Sequence, residues 1–158
     1  MEKDIKLIES IISLEWNMFQ KVKNIGGRAS CQDNYKTFYI MRRSQYENWT
    51  DDMLRCYYTY AASCEANGRN LMTEKYGRMM EYTDPHYYHE YIASRMPYVP
   101  EKSRRLIDEI VEIMVGWGKE LAKRYPKLSG AGRPITADSD SADCTSQETY
   151  ERGELATY

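Results

Sequence analysis

At 158 residues the chain is one domain's worth of polypeptide, long enough to bury a core. Its 42% apolar content and mean hydropathy of -0.76 argue against an integral membrane protein, and no run approaches the roughly 20 apolar residues of a membrane span. A net charge of -2 gives no global pull towards nucleic acid or anionic membranes.

The opening "MEKDIK" carries charges of both signs and does not read as a signal peptide. Apolar residues recurring at helical spacing predict a first helix from about Lys3 to Val22, stopped at Gly26 and Gly27. A second covers about Asp33 to Trp49. Thr50 then reads as the N-cap of a third, with Asp51 and Asp52 in its first turn, running to about Asn67. A fourth spans about Leu71 to Tyr82. Asp84 as cap and Pro85 at the first helical position restart a short helix to about Arg95. A long helix follows from about Glu101 to Tyr125 and stops at Pro126. Residues 126–144 are rich in Gly, Ser, Asp and Ala and read as a loop or linker. Thr145 and Glu148 then form a capping box that starts a last helix over 145–158. The chain ends mid-pattern there, which suggests a truncated form or a helix that docks on something else. The expectation is an all-α bundle of five to six helices over residues 1–125, a flexible segment over 126–144 and a C-terminal helix.

Fifteen tyrosines against two phenylalanines mean that aromatic bulk arrives with hydroxyls that need partners when buried. Four cysteines (Cys31, Cys56, Cys64, Cys144) show no CxxC spacing, and without an export signal they read as reduced cytoplasmic thiols.

Polar residues on apolar faces are the best functional clue. Glu15 points to the centre of the first helix's stripe, among Ile8, Ile12 and Phe19. Arg42 does the same on the aromatic face of the second helix, beside Tyr39 and Tyr46. The third and fourth helices, read as one phase through Met53, Tyr57, Tyr60, Cys64 and Leu71, add Asn67, Glu74 and Arg78. A buried carboxylate and a buried guanidinium need each other, so Glu15 and Arg42 are expected to face one another. The long helix is clean, with Ile107, Ile110, Met114, Trp117 and Leu121 inside, so the polar intrusions are confined to the first half of the chain.

Other candidates are weaker. Cys31 stands just before a helix start, where the helix dipole favours a thiolate, but no histidine lies near it in sequence and most cysteines so placed are merely packed. His86 and His89 share a helical face, but the Glu-x-x-His pairs of a di-metal bundle are absent, and no metal is assigned. Arg69, Glu74, Lys75 and Arg78 crowd around Gly68 and Gly77, which fits either a solvated charged face or close approach of a ligand.

The segments "WNMFQKVKNIGGRASCQ", "GRNLMTEKYGRMMEYTDP" and "SQETYERGELATY" resemble an uncharacterised bacterial domain-of-unknown-function family over nearly the whole chain. The resemblance implies a small, cytoplasmic, mostly helical protein, members longer than this chain, and motifs gathered around one site. It supplies no activity.

Taken together, these features point to a small anionic molecule held in a tyrosine-rich cavity, with Arg42, Tyr39, Asn67, Arg69, Glu74, Lys75 and Arg78 as binding residues. An enzymatic version would use Glu15 for acid–base chemistry and Cys31 as nucleophile, with no cofactor. The alternative is a protein–protein interaction module in which the Glu/Arg network is structural and the C-terminal helix meets a partner or a second copy. A nucleic-acid adaptor using Arg42–Arg43 and Arg104–Arg105 ranks last, and no membrane partner is expected.

Overall fold

A computed structural model describes residues 4–158; the expected start of the first helix at Lys3 lies outside them. The described residues form eight α-helices: α1 (Ile5–Gln20), α2 (Tyr35–Tyr46), α3 (Asp51–Ala66), α4 (Leu71–Thr83), α5 (Pro85–Tyr87), α6 (Glu101–Arg124), α7 (Pro126–Gly130) and α8 (Gln147–Leu155). No strand occurs among the described residues, only an isolated bridge between Ser141 and Cys144. The all-α expectation therefore holds, but five to six helices undercounts. Pro126 does not simply end α6: it occupies the first position of α7, where a missing N–H costs nothing. Among the described residues no helix is long and apolar enough to cross a membrane.

The chain divides between Thr73 and Glu74, inside α4, into two compact units. In the first, α1 packs against α2 and α3. Asp4, Asn34 and Thr50 cap these three helices by accepting the amides of Leu7, Thr37 and Met53. Ile8, Ile11, Ile12, Met18 and Phe19 of α1 are buried with Tyr46 of α2 and Leu54, Tyr57, Ala61 and Cys64 of α3. Met53, expected inside, is exposed, and Leu54 takes its place. Trp16 meets the rings of Tyr35 and Phe38 at 5.0 and 5.1 Å.

Two turns set the register. The buried side chain of Gln32 donates to the carbonyls of Phe19 and Val22 at 2.8 and 3.1 Å, satisfying the end of α1, and accepts from Asn24 and the Ala29 amide. After α3, Gly68 adopts φ +75°, and the amides of Arg69 and Gly68 return to the carbonyls of Cys64 and Glu65. Asn67 is therefore the exposed C-cap of α3, not a member of a core stripe, because the chain reverses hand one residue later.

In the second unit α6 packs against α7 and α8. Its buried face is Ile107, Val111 and Gly118. This corrects the expected face: Trp117 is 65% exposed and Leu121 45% exposed. The stretch read as a linker is tied down by specific bonds. The amides of Gln147 and Glu148 donate to the carbonyls of Pro134 and Ile135, and Ala137 donates to the Glu148 carboxylate at 2.8 Å. Glu148 is thereby drawn away from a capping box, and Ser146, not Thr145, caps α8 by accepting the Thr149 amide at 3.2 Å.

Burial pushes the hydroxyls of Tyr88, Tyr82 and Tyr60 above the usual phenol range. Folded tyrosines then keep protons that the unfolded chain has lost, so their contribution to stability is level below about pH 10 and falls as pH rises beyond it. Urea melts at stepped alkaline pH, read beside the tyrosine absorbance titration, check this; a fold equally stable at pH 9 and 11 refutes it.

Candidate functional site

The first unit builds a closed polar knot. Glu15 lies at the middle of α1 with no exposed surface. Arg42, from the middle of α2, meets it in a bidentate pair: Nε to Oε2 at 2.8 Å and Nη2 to Oε1 at 2.6 Å. Tyr46, one turn along α2, and Tyr57 of α3 each donate a hydroxyl to Oε1 at 2.6 Å. Arg42 also donates to the Tyr46 hydroxyl at 2.5 Å and to Gln45 at 3.0 Å. The carboxylate thus accepts four hydrogen bonds from three side chains on two neighbouring helices. A charge buried this deeply persists only when its partners are as complete as these.

The second unit holds a different arrangement. Lys75 of α4 is 2% exposed, and its ammonium donates to the Tyr150 hydroxyl at 2.9 Å and lies 3.4 Å from the Glu154 carboxylate. It also stands 4.6 Å from the centre of the Tyr150 ring and 5.2 Å from that of Tyr76. Arg133, on the exposed loop before α8, brings a second cation to within 5.0 Å of the Tyr150 ring and donates to the Thr145 carbonyl. Tyr150 and Glu154 are four residues apart and so share one face of α8. Gly153 lets that helix approach α4 closely: a Cβ there would sit 3.1 Å from the Lys75 carbonyl and 3.0 Å from Met79 Cγ. Asp140 anchors the start of α8 by accepting from the Ser146 amide at 2.6 Å and from the Thr149 hydroxyl.

The remaining candidates fall in separate places. Tyr39 joins a half-buried relay, accepting from Arg43 at 2.7 Å and donating to Glu9 at 2.5 Å. Arg69 donates to the Tyr60 hydroxyl at 3.3 Å, and Arg78 to the Pro97 carbonyl at 2.8 Å. Glu74 is buried. Cys31 is exposed in a four-residue 3-10 turn, Ser30–Asp33. Two surface hollows in the first unit, of about 440 and 300 Å³, are lined by Glu9, Ser13, Asn17 and Tyr58 and by Asn24, Gly27, Arg28 and Gln32; neither is lined by Glu15 or Arg42. Sequence reading missed Tyr150, Glu154 and Arg133. The Tyr150/Glu154 spacing was a usable signal, whereas Arg133 reaches its ring only through the fold of a loop.

A family model described as Protein of unknown function (DUF4125) matches residues 5–158. The chain belongs to this family. The DUF4125 match spans both polar clusters, so each is part of the family domain, and it bears out the resemblance to a domain-of-unknown-function family. No curated protein matches the DUF4125 chain, and no solved structure does.

Proposed function

We propose that the protein binds a small anionic molecule, and that its recognition group is the Lys75–Arg133 pair about Tyr150. The observation that carries this is two cations held within 5.0 Å of one tyrosine ring, one buried and one exposed. Glu154 balances the Lys75 charge at 3.4 Å, whereas the exposed Arg133 adds a further positive charge at the same ring. A carboxylate or phosphate meeting Arg133 there gains charge-assisted hydrogen bonds. Arg133 at the surface gives such a ligand an approach, and its planar guanidinium suits bidentate oxygens. On this reading the Glu15–Arg42 knot is framework rather than binding group, because Arg42 already directs Nε and Nη2 to Glu15. A cytoplasmic setting belongs to the same proposal, supported by free, exposed thiols at Cys31 and Cys56.

Native mass spectrometry of the full chain, with thermal melts in inorganic phosphate and in citrate, tests the reading. The expected result is a retained anion or a melting point raised by one of the two, lost in Arg133→Ala while the unliganded melt stays put. Bare protein whose melting point neither anion moves would overturn it.

A further inference from the structure

α6 carries more apolar surface than its own unit covers. Beside the buried line of Ile107, Val111 and Gly118 runs a second line, Leu106, Ile113, Trp117 and Leu121, all exposed, which Tyr125 and Leu128 continue past the helix end. With half-buried Ile110 between them, these residues step by four, three, four and four, the spacing of a seam that packs against another helix. Together they leave on the order of 600 Å² of apolar surface bare, the upper end of what a single chain normally shows. That approaches one side of a standard protein interface, about 800 Å².

The charges along α6 select the occupant. Its start is basic, with Lys102, Arg104 and Arg105 against one acid, Glu101. Its centre is acidic, with Glu109 and Glu112, while Asp108 is paired with Arg152 of α8. Its end is basic again, with Lys119, Lys123, Arg124 and Lys127 against Glu120. This basic–acidic–basic order reads the same in both directions. A second copy aligned over the whole helix, parallel or antiparallel, would therefore lay basic ends on basic ends and acidic centre on acidic centre, and a copy shifted to pair end with centre would cover only part of the seam; both oppose association. An anionic membrane would attract the ends and repel the centre.

We propose that the exposed face of α6 docks an amphipathic helix of a different protein, one with an apolar seam, acidic ends and a basic centre. Helix-on-helix docking of this kind takes its affinity from the seam and its choice of partner from the flanking charges. The proposal does not depend on the small-anion reading, since none of these residues touches Lys75, Tyr150 or Arg133 in the contacts described above.

The test uses two labelled synthetic helices as long as α6 with the same leucine and isoleucine seam, one acidic–basic–acidic and the other with its charges exchanged. Fluorescence anisotropy with the full chain should show the first binding at least about tenfold more tightly, with the gap narrowing as salt rises. Trp117→Glu, a change at an exposed position, should abolish that binding without moving the thermal melt. Four results overturn the proposal: equal binding of both helices; a dimer in sedimentation that Trp117→Glu splits; sedimentation with phosphatidylserine vesicles that Trp117→Glu abolishes while neither helix binds; or no binding of either helix by a chain that stays monomeric.

Discussion

Arg42→Leu is expected to lower the unfolding free energy by about 3–5 kcal/mol, because the change leaves the fully buried Glu15 without its counter-charge. The hydroxyls of Tyr46 and Tyr57 remain on Glu15 Oε1 and soften the loss without neutralising it. Arg42→Lys should fall between, since a point ammonium cannot reproduce two parallel bonds to one carboxylate. Glu15→Leu combined with Arg42→Leu should recover part of the loss. It should not recover all of it, because two buried phenols then lose their acceptor at about 1–3 kcal/mol each. Adding Tyr46→Phe and Tyr57→Phe removes the two hydroxyls that had donated to Glu15 and should bring the chain closest to wild type. Urea melts of the series at neutral pH read these differences directly. An Arg42→Leu chain within about 1 kcal/mol of wild type would show that solvent reaches Glu15 and that the knot is not the framework of the first unit.

That knot was legible in the sequence because helical geometry fixes which side chains share a face. Glu15 and Arg42 stood at the centres of apolar stripes on two helices, and charge alone demanded that they meet. Capping was equally local, and Asp84 and Thr50 behave as their side chains dictate, accepting from Tyr87 and Met53. The failures arise where tertiary neighbours or a chain reversal decide what the local pattern cannot. The stripe was carried through the end of α3, although left-handed Gly68 stops that helix and leaves Asn67 as its exposed cap; within α3 the buried line runs through Leu54 rather than its neighbour Met53. On α6 the apolar arc is wide, and sequence cannot say which half a neighbour covers. The choice of Trp117 over Val111 depended on where α8 lies. The second polar cluster escaped notice because Lys75 looks like one more charge in a polar run until α8, 75 residues later, brings Tyr150 to its ammonium.

The same helix pair yields a prediction whose sign separates packing from propensity. In an exposed helix Gly→Ala stabilises, since alanine gains up to about 1 kcal/mol from backbone entropy. Gly116 of α6 is such a position, with nothing within 4 Å of an added Cβ, and Gly116→Ala should raise stability by that amount. Gly153 of α8 sits in a helix as well, yet its added Cβ would lie 3.0 Å from Met79 Cγ and 3.1 Å from the carbonyl oxygen of Lys75. The methionine can swing aside. The carbonyl cannot, because it belongs to the backbone of α4. Gly153→Ala should therefore cost about 1–3 kcal/mol despite the better helix former, through overpacking that forces α8 away from α4. Since Tyr150 and Glu154 ride on α8 and Lys75 on α4, the displacement also lengthens the Lys75–Tyr150 bond, and any melting-point rise given by phosphate or citrate should shrink with it. Urea melts of the two alanine variants beside wild type measure both signs at once. A stabilised Gly153→Ala would mean that α8 yields at no cost, and the close helix contact would then not be what holds Lys75 against Tyr150.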